Sequence, residues 1–378
     1  MQLFDVYPLY PIEPVRGEGA YVFTEDGTRY LDCYGGHAVI SIGHAHPHYV
    51  QMISEQVGKL GFYSNSVENP LQRELAQKLG RLSGLDDYQL FLVSSGAEAN
   101  ENALKLASFV TGRKRVIAFK GGFHGRTSAA VNATDNEAIK APINKTYPVT
   151  FLELNDLGAV AQEIERGDVA AVIIEGIQGI GGIHVPHADY LEGLSTLCHD
   201  NGALLILDEV QSGYGRSGKF FAFQYSNVRP DIVTVAKGMG NGFPIGGVLI
   251  APEIEAKYGM LGTTFGGSHL ACAAGIAVLD VIEREGLLEN ATTQGNYLID
   301  ALRNSGAFRE VRGHGLMIGL QMDEPIAEFR KRLLFEDHIF TGSAKDPNTI
   351  RLLPPLNVSR DECELVVTKL LTSAGTRV

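Results

Sequence analysis

Short apolar runs, each cut off by polar or small residues, recur through the middle of the chain. Ala203–Leu207 stops at Asp208 and Glu209, and Ile232–Val235 stops at Ala236 and Lys237. AAVIIE ends at Glu175, RVIAF precedes Lys120, and LFLV runs into Ser94 and Ser95. Runs of this length between turn residues have the form of buried parallel strands. Between them, PLQRELAQKLGRL from Pro70 to Leu82 carries apolar residues at helical spacing, and SGAEANENALKLASF reads as a turn entering a helix. Strands alternating with helices predict an α/β fold with a parallel sheet.

The two ends of the chain have a different pattern. An opening segment rich in Pro and Tyr reads as an arm, and it leads into GAYVFTEDGTRYLDC, where two alternating runs flank Asp26-Gly27, a hairpin signal. From Ala273 to Val378, helical stretches alternate with VRGHGLMIGLQM and TIRLLPPLNV, which predicts a smaller α+β domain. No internal repeat, low-complexity tract or long linker interrupts the chain.

At 378 residues, 44% hydrophobic and 20% charged, the chain can bury the core of a globular enzyme of two or three domains. A net charge of −12 and a pI near 5.4, without a basic stripe, argue against nucleic acid and leave small metabolites as partners. Cys33, Cys198, Cys272 and Cys363 are scattered and form no CxxC, which fits a reduced cytoplasmic location better than a zinc cluster or a disulfide framework. The N-terminus has no basic region followed by an apolar stretch, and no segment reaches the roughly 18 apolar residues of a membrane span. His44, His46 and His48 alternate in GHAHPHY and could line one side of a strand. Pro47 breaks that strand and no carboxylate or cysteine stands beside them, so no metal is expected.

Ligands of open α/β sheets bind beyond the carboxyl ends of the strands, so Asp208 and Lys237 are expected to project into one crevice. An ion pair at the sheet edge would be the plain account of them. Ser94 to Ala97, however, fall where a strand turns into a helix, and small residues there let backbone N–H groups approach an anion such as phosphate. A nucleotide-dependent oxidoreductase is disfavoured, since GMGNG after the strand lacks the GxGxxG spacing and the following acid of a dinucleotide site.

LDEVQSGYGRSG around Asp208, VAKGMGNGFPIGG around Lys237, SGAEAN, FHGRT and GMLGTTFGGSHLAC together resemble the class III aminotransferases of fold-type I, in family order and over nearly the whole chain. The resemblance implies pyridoxal 5'-phosphate as cofactor, whose chemistry needs a lysine to join its aldehyde and an acid to keep its ring nitrogen protonated. It also implies a large domain over residues 48–255 with a mostly parallel seven-stranded sheet. Residues 1–47 would form an arm and part of a small domain, and 256–378 an interdomain helix and the α+β remainder.

By the same resemblance, Lys237 carries the cofactor and acts as base, Asp208 holds the ring nitrogen, and Ser95, Gly96 and Ala97 form a phosphate cup. Phe123 lies against the ring, Gln211 bonds its phenolic oxygen, and Thr264 reaches the phosphate of the other subunit, which implies a homodimer with shared sites. Arg126 and Arg351 receive substrate carboxylates, and Tyr7, His37 and Ile180 belong to the substrate pocket. Relatives read EPxQGEGG where this chain has Gly176 for the proline and Ile180 for a glutamate that serves specificity, and Ser268-His269 replace Asn-Pro. Within class III, GGHAVISIGHAHP, SGAEAN and the compact length are most similar to the acetylornithine aminotransferases. That implies an N-acylornithine as amino donor and 2-oxoglutarate as acceptor in arginine biosynthesis. Succinylornithine, ornithine or 4-aminobutyrate are the alternative donors. An aminomutase or decarboxylase on the same fold is the alternative reaction, disfavoured by the retention of Arg351.

Overall fold

The computed structural model describes residues 1–375. Two seven-stranded sheets carry the fold. In the first, strands Gln89–Val93, Gly246–Ile250, Ile232–Val235, Leu204–Asp208, Val169–Glu175, Arg115–Phe119 and Val149–Leu152 lie side by side in that order. The last five are mutually parallel, while Gly246–Ile250 runs antiparallel to both of its neighbours, so the sheet is mostly parallel as expected.

Every residue of Val169–Glu175 is buried. Its uninterrupted apolar sequence follows from cover on both faces. Leu205 and Leu207 share a core with Leu191 and Leu194 of helix Ala188–Asn201, whereas Ile206 points the other way, into a core with Ala99 and Ala103 of helix Gly96–Thr111. The register sets Glu175 opposite Asp208 and Asp208 opposite Thr234, which brings the polar residues that end these strands to one edge of the sheet.

The second sheet has the order Pro14–Glu18, Tyr21–Thr24, Arg29–Cys33, Ile339–Ser343, Thr349–Leu352, Met317–Gln321 and Glu310–His314. The N-terminal hairpin is therefore not a separate unit. Its strand Arg29–Cys33 pairs in parallel with Ile339–Ser343, which closes the two ends of the chain into one layer.

Helix His269–Arg284 begins at the departure noted at 268–269. Ser268 caps it, its hydroxyl accepting the Ala271 N–H at 3.2 Å, and serine is among the best residues for that task. The three imidazoles of GHAHPHY diverge to separate carboxylates, His44 to Asp32, His46 to Glu285 and His48 to Asp280. Among the described residues no helix is long and apolar enough to cross a membrane.

Candidate active site

Beyond the carboxyl edge of the large sheet lies a cavity of about 370 Å³. Ser95, Gly96, Ala97, Phe123, Arg126, Ile180, Asp208, Gln211 and Lys237 all line it.

One end is an anion cradle. Ser95 caps helix Gly96–Thr111 by accepting the Glu98 N–H, and the Glu98 carboxylate in return accepts the Ser94 N–H at 2.8 Å. The N–H groups of Gly96 and Ala97, first in the helix, have no intrahelical acceptor and lie at the positive end of its dipole. A Cβ on residue 96 would stand 2.6 Å from Val210 Cγ1, so only glycine lets the backbone come this close to the cavity.

At the centre stand the acid and the amine. Asp208 is 3% exposed, and its Oδ2 accepts from Asn100 Nδ2 and His124 Nδ1, both at 2.7 Å, while Oδ1 accepts from Val210 N–H at 3.0 Å. Thr234 Oγ1 in turn donates to Asn100 Oδ1 at 2.7 Å. Burial works against charge on His124, but the Asp208 carboxylate outweighs it and raises the imidazole pKa. A carboxylate has room for about four donors, so one place on Asp208 is left for a cationic partner. Asn100 closes the SGAEAN motif whose first residues form this cradle. Its side chain instead turns inward to Asp208, which leaves the cradle to the first residues of the helix.

Lys237 follows the buried strand Ile232–Val235 with φ +47, a conformation that a β-carbon disfavours and that marks constrained sites. Its ammonium group makes no hydrogen bond or ion pair among the described residues. Burial lowers its pKa, opposed by Asp208 and Glu175. An amine whose pKa is lowered by burial, beside an acid, is equipped to take and return a proton.

One wall is formed by Gln211, and against it packs Arg351, 1% exposed and not itself in the cavity lining. Nε donates to the Ser343 carbonyl at 2.7 Å and Nη1 to Gln211 Oε1 at 3.1 Å, and burial pushes the guanidinium pKa down to about 10. Gln211 also donates to the His37 carbonyl at 3.3 Å. It can lie there because residue 179 is glycine: a Cβ would be 1.9 Å from Gln211 Oε1. Glu175, the acid nearest in sequence to this wall, does not pair with Arg351. Its oxygens accept the N–H groups of Phe123 and Gly179, and burial pushes its pKa up to about 7. Gly176, where relatives carry proline, leaves room for Glu209, whose Oε1 would lie 2.2 Å from a Cβ.

His37 sits in a left-handed turn, Gly35 to Ala38, with φ of 57, 55, 67 and 62. Two glycines take that conformation freely, whereas His37 and Ala38 each cost about 1–2 kcal/mol. The turn is held by Asp32 Oδ1, which accepts the N–H groups of Tyr34 and Gly35, and by His44 on Asp32 Oδ2. The His37 ring lies 2.6 Å from the Tyr34 hydroxyl, and burial, with Arg351 and Lys237 adding to it, pushes its pKa down to about 4, so the imidazole is neutral.

Arg126 is exposed at the cavity mouth and forms no ion pair among the described residues. Four expected site residues do not line the cavity: His37 and Arg351, both bonded to Gln211, and two others. Tyr7, 72% exposed in the N-terminal arm, and Thr264, in an exposed loop beside Phe265, do not line the cavity of their own chain. Sequence reasoning also missed Asn100, His124, Thr234 and the buried Arg216, which donates to the carbonyls of Ile40, Leu316 and Pro354 and ties both sheets to the turn. Only Thr234, a polar residue inside the apolar run Ile232–Val235, left a signal of its own in the sequence.

An anion cradle, an acid with one open acceptor position, an unpaired amine and the Phe123 ring fit a phosphorylated pyridine aldehyde. The class-III aminotransferase family matches residues 6–373. An acetylornithine aminotransferase of Archaeoglobus fulgidus is 41% identical over 94% of each chain, and one of Bacillus subtilis is 39% identical over 97% of this chain and 96% of its own. An ornithine aminotransferase structure from Toxoplasma gondii, with partial occupancy of pyridoxal phosphate at its active site, superposes with a TM-score of 0.90 at 28% identity. That match covers 97% of this chain and 90% of that one.

Proposed function

This chain belongs to the class-III aminotransferases, and from that premise we propose that it moves the ω-amino group of an N-acylornithine, acetylornithine first, to 2-oxoglutarate. The products are the N-acylglutamate semialdehyde and glutamate, a step of arginine biosynthesis in the cytoplasm. The observation that carries this reading is the unpaired Lys237 amine in one cavity with Asp208 and the helix N-terminus.

Pyridoxal 5'-phosphate, when bound, supplies an electrophilic aldehyde and an electron-accepting ring. Ser95, Gly96 and Ala97 would bind its phosphate, joined by Thr264 of a second subunit in a homodimer, and Phe123 would bear on the ring face. Asp208, oriented by Asn100 and His124, would keep the ring nitrogen protonated. Lys237 Nζ is the residue that would join the aldehyde and later carry the proton from the donor's ω-carbon, a role served by its depressed pKa. Arg126 would take the donor carboxylate and Arg351 the acceptor's, by planar two-point contact. Gln211, bonded to Arg351, would be the residue to bond the ring's phenolic oxygen. His37, Ile180 and the arm with Tyr7 would bound the donor.

A second donor is favoured by one observation. Arg351 pairs with no carboxylate among the described residues, so an acyl arm ending in a carboxylate, as in succinylornithine, is also accommodated. The test is a panel of acetylornithine, succinylornithine, ornithine and 4-aminobutyrate with 2-oxoglutarate, followed by glutamate release. Acetylornithine should lead. Release from none of the four would overturn the reading.

A further inference from the structure

Two guanidiniums, Arg126 at the mouth and Arg351 behind Gln211, lack acid partners among the described residues, and a ligand with a carboxylate at each end would satisfy both once the Gln211 amide gives way to it. The gap between them then selects the length of that ligand. Arg126 belongs to the 121–126 loop of the large sheet, whereas Arg351 is on the second sheet, in strand Thr349–Leu352. Something must fix one against the other.

Lys345 does so from the loop between strands Ile339–Ser343 and Thr349–Leu352. Its N–H donates to the Ile180 carbonyl at 2.7 Å. Its Nζ donates at 2.8 Å to both the carbonyl and the carboxylate of Asp135. Asp135 is itself fastened to the Arg126 loop. Its Oδ2 accepts the Gly121 N–H at 2.8 Å, its N–H donates to the Gly122 carbonyl at 2.9 Å, and the adjacent Thr134 hydroxyl accepts the His124 N–H at 2.9 Å.

On the other side the connection is equally short. Ser343, two residues before Lys345, receives Arg351 Nε, and Gly342 pairs with Arg351 across the sheet. The loop between is stiff, since Asp346 accepts the Asn348 N–H at 3.0 Å and the Thr349 hydroxyl at 2.6 Å. One residue therefore joins the three segments that present Arg126, Ile180 and Arg351, its side chain through Asp135 and its backbone through Ile180.

We propose that Lys345, acting through Asp135, is a positioning residue that sets the distance between Arg126 and Arg351 and thereby selects five-carbon dicarboxylates. The inference rests on the proposed function, with Arg126, which takes the donor carboxylate in one half of the exchange, taking the far carboxylate of the acceptor in the other. Lys345 and Asp135 are half-exposed, with side chains 47% and 30% accessible, so their ion pair is worth what exposed pairs usually are, about two- to fivefold in a binding constant.

The test is calorimetric titration of the cofactor-loaded enzyme with succinate, glutarate and adipate, unreactive acids of rising length. Wild type should bind glutarate best. Lys345→Ala should weaken glutarate by about two- to fivefold and narrow its lead over the other two, Asp135→Asn should do the same, and the double variant should lose no more than either. Lys345→Arg should restore the preference. In turnover, KM for 2-oxoglutarate should rise in Lys345→Ala with little change in kcat. A wild type that binds all three acids alike would overturn the two-arginine site and the clamp with it. A wild-type preference that survives unchanged in Lys345→Ala and Asp135→Asn would overturn the clamp alone.

Discussion

Gln211 occupies the place beside Arg351 where a carboxylate would form an ion pair, its Oε1 accepting from Nη1 at 3.1 Å. A neutral amide holds the guanidinium in position without neutralising it. An incoming carboxylate then displaces a dipole and not a charge, which is a smaller cost in a buried site.

Restoring the acid should reverse that advantage. Ile180→Glu places a carboxylate on the cavity wall next to Gly179, whose missing Cβ admits Gln211. Pairing at about 4 Å is worth up to roughly 4 kcal/mol before desolvation, so KM for 2-oxoglutarate should rise about tenfold or more. A succinylated donor should suffer more than an acetylated one. Unchanged constants in a folded, cofactor-loaded variant would mean that residue 180 does not face Arg351.

Gly179→Ala should have a related but milder effect. The new Cβ conflicts with Gln211 Oε1, so the amide must leave Arg351 and the His37 carbonyl. Steady-state kinetics should show a several-fold higher KM for the keto acid, and a crystal structure should show Gln211 moved.

The centre of the site can be tested by chemistry. Borohydride reduction followed by peptide mass spectrometry should find the cofactor on the peptide containing Lys237, and Lys237→Ala should abolish turnover. Asp208→Asn exchanges an ionic hydrogen bond for a neutral one, a loss of about 1.5–3 kcal/mol or roughly ten- to hundredfold in kcat. His124→Ala should give a smaller loss in the same direction, because Asp208 keeps Asn100 and Val210.

Glu175 makes stability depend on pH. Burial raises its folded-state pKa from 4.5 to about 7, so the folded protein binds that proton more tightly than the unfolded chain does. Its contribution is complete below about pH 4.5 and is lost as pH rises through about 7, by on the order of 3 kcal/mol. Glu209, raised by burial to about 7 as well, acts in the same direction. Denaturant melts of Glu175→Gln from pH 5 to 8 should show roughly half the wild-type slope in this range.

A shared site predicts complementation. Thr264 is exposed, and the neighbouring ring of Phe265 lies 5.4 Å from that of Phe62 on the surface. Mixing Lys237→Ala with a Thr264 variant impaired in phosphate binding should generate heterodimers with one intact site, and part of the activity should return. A fully active monomer in sedimentation velocity would exclude this arrangement.

The central strands, the turn into helix Gly96–Thr111 and the meeting of Asp208 with Lys237 were determined by sequence alone. Each depends on local pattern: an apolar run covered on both faces must be continuous, and its first polar residue marks the open edge. Motifs likewise singled out Phe123, Arg126 and Gln211, which line the cavity, and Arg351, which packs against Gln211. What only the tertiary structure decided are contacts between segments far apart in the chain, for which single-sequence periodicity carries no signal. Arg29–Cys33 pairs with a strand some three hundred residues later, Asn100 turns to Asp208 and not to the cradle, and Arg351 meets Gln211. Lys345 is the extreme case. As a loop lysine it is indistinguishable in sequence from a solvated charge, and it gains its place only because two sheets bring Asp135 and Ile180 to it.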